Sequence, residues 1–81
     1  MSARTGRRRA LLLLALYHQG QTVSRLSANT GLRYTAVEGI LDSLSRSGLA
    51  ELSEAGWVIG SGPHVAAALE EAREIVRGVG A

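Results

Sequence analysis

Cysteine is absent from the 81 residues of this chain, so neither a disulfide nor a thiolate metal site can stabilise its fold. A domain of this size has a high ratio of surface to volume and only a modest core. Its stability must therefore come from packing alone, within one chain or against a second copy. Because hydrophobic residues make up 46% of the chain, we expect one folded domain, and the lack of cysteine favours the reducing cytoplasm.

A catalytic or metal-binding arrangement is also missing from the sequence. Its only two histidines, His18 and His64, belong to different predicted elements. No cysteine nucleophile is present, no glycine-rich phosphate loop follows a strand, and no group of residues has the spacing of metal ligands. The serines have no evident base beside them. The sequence therefore predicts no catalytic residue, no metal, no cofactor and no enzymatic activity.

Acidic residues are absent from the first part of the chain, where no Asp or Glu precedes Glu38. The formal net charge of +2 therefore hides a cationic N-terminal part and a mildly acidic remainder. This separation is typical of a protein that contacts a polyanion, although a solvated tail explains Arg4 equally well. The arginines of the cationic part are Arg4, Arg7, Arg8, Arg9, Arg25 and Arg33.

No apolar run is long enough to cross a bilayer, because the longest one covers only residues 10–16. The run follows three arginines and imitates a secretory signal, but residues 17–19 offer no small-x-small cleavage site. We interpret it as part of a buried helix over residues 7–19 that ends before Gly20. The side chains of Leu11–Leu14 point in directions about 100° apart, so the helix is apolar all round. Its second side is expected to meet an added helix or a partner subunit.

Two further helices, each ended by a glycine, are predicted between residues 22 and 50. Either Thr22 or Ser24 can cap the first of them with a side-chain oxygen. Gly31-Leu32 is expected to end this helix, with the glycine in the left-handed conformation and the leucine packed back on the last turn. The second helix is expected to end in the same way at Gly48-Leu49.

The helix predicted over residues 33–47 is amphipathic. Gly39 lies in the middle of its polar face, where glycine costs roughly 1 kcal/mol relative to alanine. Close approach of another backbone is a physical reason for that glycine, and neutral drift is the alternative. Asp42 and Arg46 are spaced to form an ion pair along the helix. The apolar face consists of Val37, Ile40, Leu41 and Leu44.

A hairpin and a last helix complete the predicted elements. Residues 49–52 and 57–60 are short apolar stretches, so we expect two strands joined by a four-residue loop. Trp57 is expected to cover the core rather than to stack on a ligand. The last helix is predicted to begin at Pro63, and its apolar residues recur at spacings of four, three and four. That stripe must pack on its own domain, on a second copy or on both.

Residues 22–50, together with residues 56–60, resemble the N-terminal DNA-binding domain of the IclR family. They are nearly as similar to the MarR and ArsR families of winged-helix regulators. The resemblance implies a mainly α winged helix-turn-helix with a small β-hairpin and an added C-terminal helix. The shared marks are Ala10–Leu14, Thr22, Leu26, Thr30-Gly31-Leu32, the spacing of Thr35, Val37, Leu41 and Leu44, and Gly48-Leu49.

The same resemblance divides the chain into three parts: a flexible basic arm (1–6), a winged helix-turn-helix domain (7–60) and a C-terminal helix for dimerisation (61–81). It implies a transcriptional regulator that binds double-stranded DNA as a homodimer, with the recognition helix 33–47 in the major groove. The expected DNA contacts are Arg7, Arg8, Arg9, Arg33, Tyr34, Thr35, Glu38, Gly39 and Arg46. The expected dimer contacts are Leu12, Val65, Leu69, Ala72 and Val76.

Two features depart from the pattern of these regulators. Glu51 and Glu54 occupy the wing, where DNA-contacting wings usually carry Arg or Lys. Proteins of the IclR type continue into an effector-binding domain, whereas this sequence ends at Ala81, so we expect no small-molecule effector. The alternative interpretation is a winged helix that binds another protein within a larger assembly, which the acidic wing and the acids Glu38 and Asp42 favour. Glu38 can equally be a solvated helix charge.

Overall fold

Four helices and one antiparallel hairpin make up the described part of the chain, which in the computed structural model covers residues 2–17 and 20–78. The protein is thus mainly helical with a small two-stranded sheet, as the sequence predicts. None of the helices within these residues is both long and apolar enough to cross a bilayer. In chain order the elements are α1 (Ser2–Ala15), α2 (Val23–Thr30), α3 (Tyr34–Arg46), β1 (Ala50–Ser53), β2 (Gly56–Ile59) and α4 (Val65–Gly78).

The core lies between α1 and the apolar faces of the other three helices. Because α1 is apolar nearly all round, it can be covered on one side by α2 and α3 and on the other by α4. The added helix, one of the two expected partners for the second side of α1, is therefore supplied by the chain itself. The largest fully buried side chains are Leu12, Leu16, Leu26, Val37, Leu41 and Leu44.

The turn between α2 and α3 is fixed by hydrogen bonds at both ends of α2. The hydroxyl of Thr22 accepts the N–H of Arg25 at 3.1 Å and caps the helix, as predicted. Gly31 ends it with a φ of 77°, and its N–H donates to the carbonyl of Ser27 at 2.9 Å. The Ser27 hydroxyl in turn donates to the carbonyl of Leu32 at 2.6 Å. These bonds set the direction in which α3 leaves α2.

The C-terminal end of α3 is held in a similar way. Gly48 has a φ of 77°, and the N–H of Leu49 donates to the Leu44 carbonyl at 2.8 Å, which confirms the predicted glycine-leucine stop. His64, just before α4, places its Nε2 3.0 Å from the carbonyl oxygen of Ser47. The end of α3 is thereby bonded to the beginning of α4.

Gln21 joins three elements, and the sequence gives no indication of it. Its backbone N–H and carbonyl pair with Trp57 of β2 at 3.1 and 2.8 Å, which adds a one-residue bridge to the hairpin. Its buried side chain donates to the carbonyl of Ala15 at 2.6 Å and accepts from the amide of Asn29 at 2.7 Å. The approach is so close that a Cβ on Gly56 would lie 2.7 Å from the Gln21 carbonyl oxygen.

The first helix differs from its prediction at both ends. It begins at Ser2 rather than at residue 7, so the described residues of the expected flexible arm are helical. No proline interrupts the backbone hydrogen bonds there, and the helix therefore extends through this segment. It ends at Ala15 because the N–H of Tyr17 bonds to the carbonyl of Leu14, three residues back, which tightens the last turn. Residues 18 and 19, predicted to be helical, lie outside the described residues.

Two other boundaries are also corrected. The hairpin loop has two residues rather than four, because Ser53 pairs with Gly56 in the ladder. A φ of 119° at Gly56 permits this tight connection. The helix α4 begins at Val65, two residues after Pro63, because the N–H of Val65 still bonds in a turn to the carbonyl of Gly62.

Replacement of Gln21 tests how far this residue stabilises the fold. We expect Gln21→Ala to lower the free energy of unfolding by about 1–3 kcal/mol, because buried polar groups lose their partners. The isosteric Gln21→Glu should lower it further, since a carboxylate cannot donate to the Ala15 carbonyl. Urea denaturation measures both effects, with Asn29→Ala as the control that removes a single bond. An unchanged unfolding midpoint for Gln21→Ala would contradict this role.

Candidate nucleic-acid interface

The outward face of α3 is polar and exposed to solvent. Its apolar side is buried in the core, with Val37, Leu41 and Leu44 all at most 1% exposed. Because successive residues of a helix turn by about 100°, the opposite side must face outward. The structure confirms this prediction for the exposed residues Thr35, Glu38, Gly39, Asp42 and Arg46.

The N-terminal end of α3 is open to solvent. Arg33 is the residue before the helix, it is exposed, and its side chain makes no capping hydrogen bond. Tyr34 is 50% exposed, and Thr35 beside it is exposed as well. None of the described residues forms a hydrogen bond or ion pair with these three side chains. The three predicted contact residues therefore lie together at one end of the helix, beside N–H groups that the first turn leaves unpaired.

An ion pair occupies the C-terminal half of the same face. Arg46 Nη2 lies 2.9 Å from Asp42 Oδ2, which confirms the predicted pairing. The two side chains are 78% and 61% exposed, so the pair contributes only a few tenths of a kcal/mol to stability. The pair holds the Arg46 guanidinium on the outward face, and the Asp42 carboxylate neutralises part of its positive charge.

The two flanks of α3 have different neighbours. On one flank, Arg9 of α1 donates from Nη1 to the hydroxyl of Ser43 at 2.8 Å. On the other flank, a shallow groove between α3, α2 and the hairpin is lined by Glu38 and Ser45 together with Trp57. The outward face of α3 therefore lies between α1 and the hairpin.

The three consecutive arginines of α1 have different surroundings. They lie on a helix, so their side chains point in directions about 100° apart. Arg7 and Arg8 are exposed and have no partner among the described residues. Arg9 is half-buried and is the one that the structure places against α3, through Ser43. The partnership joins residues 34 positions apart, and no local sequence pattern indicates it.

The hairpin presents an acidic and apolar surface rather than a cationic one. Glu51 and Glu54 are both exposed, and Leu52 between them is 66% exposed. Glu51 accepts a hydrogen bond from the hydroxyl of Ser61 at 3.5 Å. Trp57 is half-buried and packs against the core, as the sequence predicts.

The residues expected at a dimer interface are mostly buried inside this one chain. Leu12 is 0% exposed and Val65, Leu69 and Ala72 are at most 8% exposed, because α4 packs along α1. These four side chains are therefore covered within one chain, and their contact with a second copy stays a prediction. Val76 is half-buried and also packs against the core.

Comparison with protein families, with curated proteins and with solved structures finds no match to this chain. Its function therefore has to be inferred from the chemistry of the α3 face and of the side chains beside it. That face combines exposed arginine, hydroxyl and carboxylate groups on α3 and at its N-cap. These groups can bind phosphates and can hydrogen-bond to the edges of bases.

Gly39 offers a test of whether the α3 face is shaped by the fold itself. A Cβ placed on Gly39 meets nothing within 4 Å, so the described fold has no need of a glycine there. We expect Gly39→Ala to raise the free energy of unfolding by about 1 kcal/mol, because alanine favours the helix. Urea denaturation measures the change in the free energy of unfolding. The control is Ala36→Gly in the same helix, which should lower that free energy. A loss of stability would show that Gly39 has a structural role within the chain.

Proposed function

We propose that this protein is a winged-helix transcriptional regulator that binds double-stranded DNA by placing α3 in the major groove. The order of α2, a short turn, α3 and the hairpin β1–β2 is that of a winged helix-turn-helix. The bridge between Gln21 and Trp57 supports this proposal, because it docks the hairpin beside the beginning of α2. The sequence resemblance to regulators of the IclR type favours the same arrangement.

The observation that carries the proposal is the uncovered polar face of α3. A major groove about 12 Å wide admits one α-helix with its side chains. Arg33 at the leading end is suited to a bidentate contact with guanine, and Thr35 to a phosphate or a thymine methyl group. Glu38 is suited to accept a hydrogen bond from cytosine. Gly39, with open space above it, allows the helix backbone to approach the DNA closely.

The distribution of charge supports a contact with phosphates around this helix. Arg9 lies beside α3, and Arg7 and Arg8 are exposed two residues and one residue before it on α1. Phosphate contacts supply most of the non-specific affinity for DNA, so Arg9 is the arginine of α1 best placed to contribute to it. The acidic hairpin takes no part in binding the backbone under this proposal.

A homodimer is also proposed, although the apolar stripe of α4 no longer supports it. Two-fold symmetry predicts a palindromic site whose half-sites lie about 34 Å apart. The interface would have to use surfaces other than Leu12 and the three residues of α4 buried against α1. Light scattering of the purified protein distinguishes one chain from two.

A second candidate function has one observation in its favour. Leu52 is 66% exposed on the hairpin and lies between two exposed acids, Glu51 and Glu54. The negative charge around it disfavours contact with phosphates and leaves the hairpin free to contact another protein. The alternative is therefore a module that binds another protein through its hairpin, within a larger assembly.

Salt dependence separates the two candidates. If the protein binds DNA through phosphates, the logarithm of its affinity for a duplex should fall linearly with the logarithm of salt concentration, by about 0.9 per contact. Replacing Arg7, Arg8 and Arg9 with alanine should reduce this slope by about 0.9 for each arginine that contacts a phosphate. Fluorescence anisotropy with labelled duplexes measures both.

The matched control for this titration is a variant with Arg73→Ala and Arg77→Ala, which removes exposed positive charge from α4 instead of α1. It should leave the slope almost unchanged. Weak binding by the unmodified protein that does not respond to salt would contradict the proposal and favour the protein-binding alternative.

Gly39→Ala provides a second test, because its effects on stability and on binding should have opposite signs. The added methyl group should weaken duplex binding by roughly fivefold or more if the backbone of α3 approaches DNA closely, since overpacked contacts are unfavourable. The measurement is a duplex titration at constant salt, with Ser45→Ala on the flank of α3 as the control. Equal affinities for Gly39→Ala and the unmodified protein would place the DNA elsewhere.

A further inference from the structure

The hydrogen bond between Arg9 and Ser43 is the only side-chain bond that the described residues form between α1 and α3. Arg9 Nη1 donates to the Ser43 hydroxyl at 2.8 Å. Arg9 also lines the groove between α1 and α4, together with Glu71, Ala72 and Ile75. The half-buried Arg9 side chain is therefore bonded to α3 at the protein surface.

The location of Ser43 decides what this bond can do. On a helix, Ser43 is about 40° from Gly39 and about 60° from Arg46, so it borders the outward face of α3. Its hydroxyl directs the Arg9 guanidinium to the edge of that face, on the side away from the hairpin. If α3 enters the major groove as proposed, this edge of the helix faces the phosphates of one strand.

We propose that Ser43 is a positioning residue that holds Arg9 for a contact with a DNA phosphate beside α3. This inference rests on the proposed function. A guanidinium has five N–H donors in a planar fork, and one of them is used by Ser43 among the described residues. The remaining donors can bind a phosphate without loss of the bond to Ser43.

The physical advantage of the bond is a smaller loss of side-chain entropy on binding. A free arginine must give up much of its rotamer freedom when it contacts a phosphate. Arg9 has already lost part of that freedom in the unbound protein, because it is half-buried and bonded to Ser43. Arg7 and Arg8 are exposed without a partner among the described residues, so they lack this advantage.

A thermodynamic cycle on duplex binding tests the inference. We expect Ser43→Ala to weaken binding by about threefold to tenfold, because Arg9 is then no longer held in place. Arg9→Ala should weaken binding further and lower the salt slope by about 0.9. In the Arg9→Ala background, Ser43→Ala should have no additional effect, since the hydroxyl acts through Arg9.

Three controls make the cycle specific. Ser45→Ala removes the same group from the opposite flank of α3 and should leave affinity unchanged. Ser43→Thr keeps a hydroxyl and should restore most of the affinity lost in Ser43→Ala. Arg73→Ala removes an exposed charge from α4, and it should leave the salt slope unchanged.

The outcomes distinguish this inference from the function on which it rests. If the unmodified protein does not bind duplex DNA at low salt, both are overturned. If it binds but Ser43→Ala behaves like Ser45→Ala, DNA binding stands and the positioning role is overturned. A further loss caused by Ser43→Ala in the Arg9→Ala background also overturns that role, because Ser43 would then act without Arg9.

Discussion

The position of the hairpin depends on the bonds made by Gln21. This single residue pairs its backbone with β2, and its buried side-chain amide bonds to Ala15 at the end of α1 and to Asn29 of α2. The hairpin is thereby fixed against the helices at one point, since an isolated two-stranded hairpin is only marginally stable in water. The hairpin lies on one flank of α3 and Arg9 of α1 on the other, so both flanks of the polar face have defined neighbours.

Packing of α4 on α1 explains how so short a chain buries a core without cysteine. Leu12 and Leu13 of α1 are buried by helices of the same chain, so much of the apolar surface that suggested a partner subunit is already covered. The proposed DNA surface is the exposed side of α3, whose side chains contribute little to the core. Stability and recognition thus rest on different faces of α3.

Sequence periodicity predicted the elements of the fold well because their signals are local. The cap at Thr22, the stops at Gly31 and Gly48 and the buried stripe of α3 each depend on residues within a few positions of one another. The partner of the α4 stripe could not be predicted, since an apolar face packs equally well on its own domain or on a copy. The Gln21 bridge and the Arg9–Ser43 bond could not be predicted, because each joins segments that are far apart in the sequence.

The bond from His64 to the carbonyl of Ser47 joins two positions that are distant in the sequence. Ser47 follows α3 and His64 precedes α4, whose body rests on α1. The segment between these two residues contains the whole hairpin. It therefore forms a loop that one hydrogen bond closes at its base.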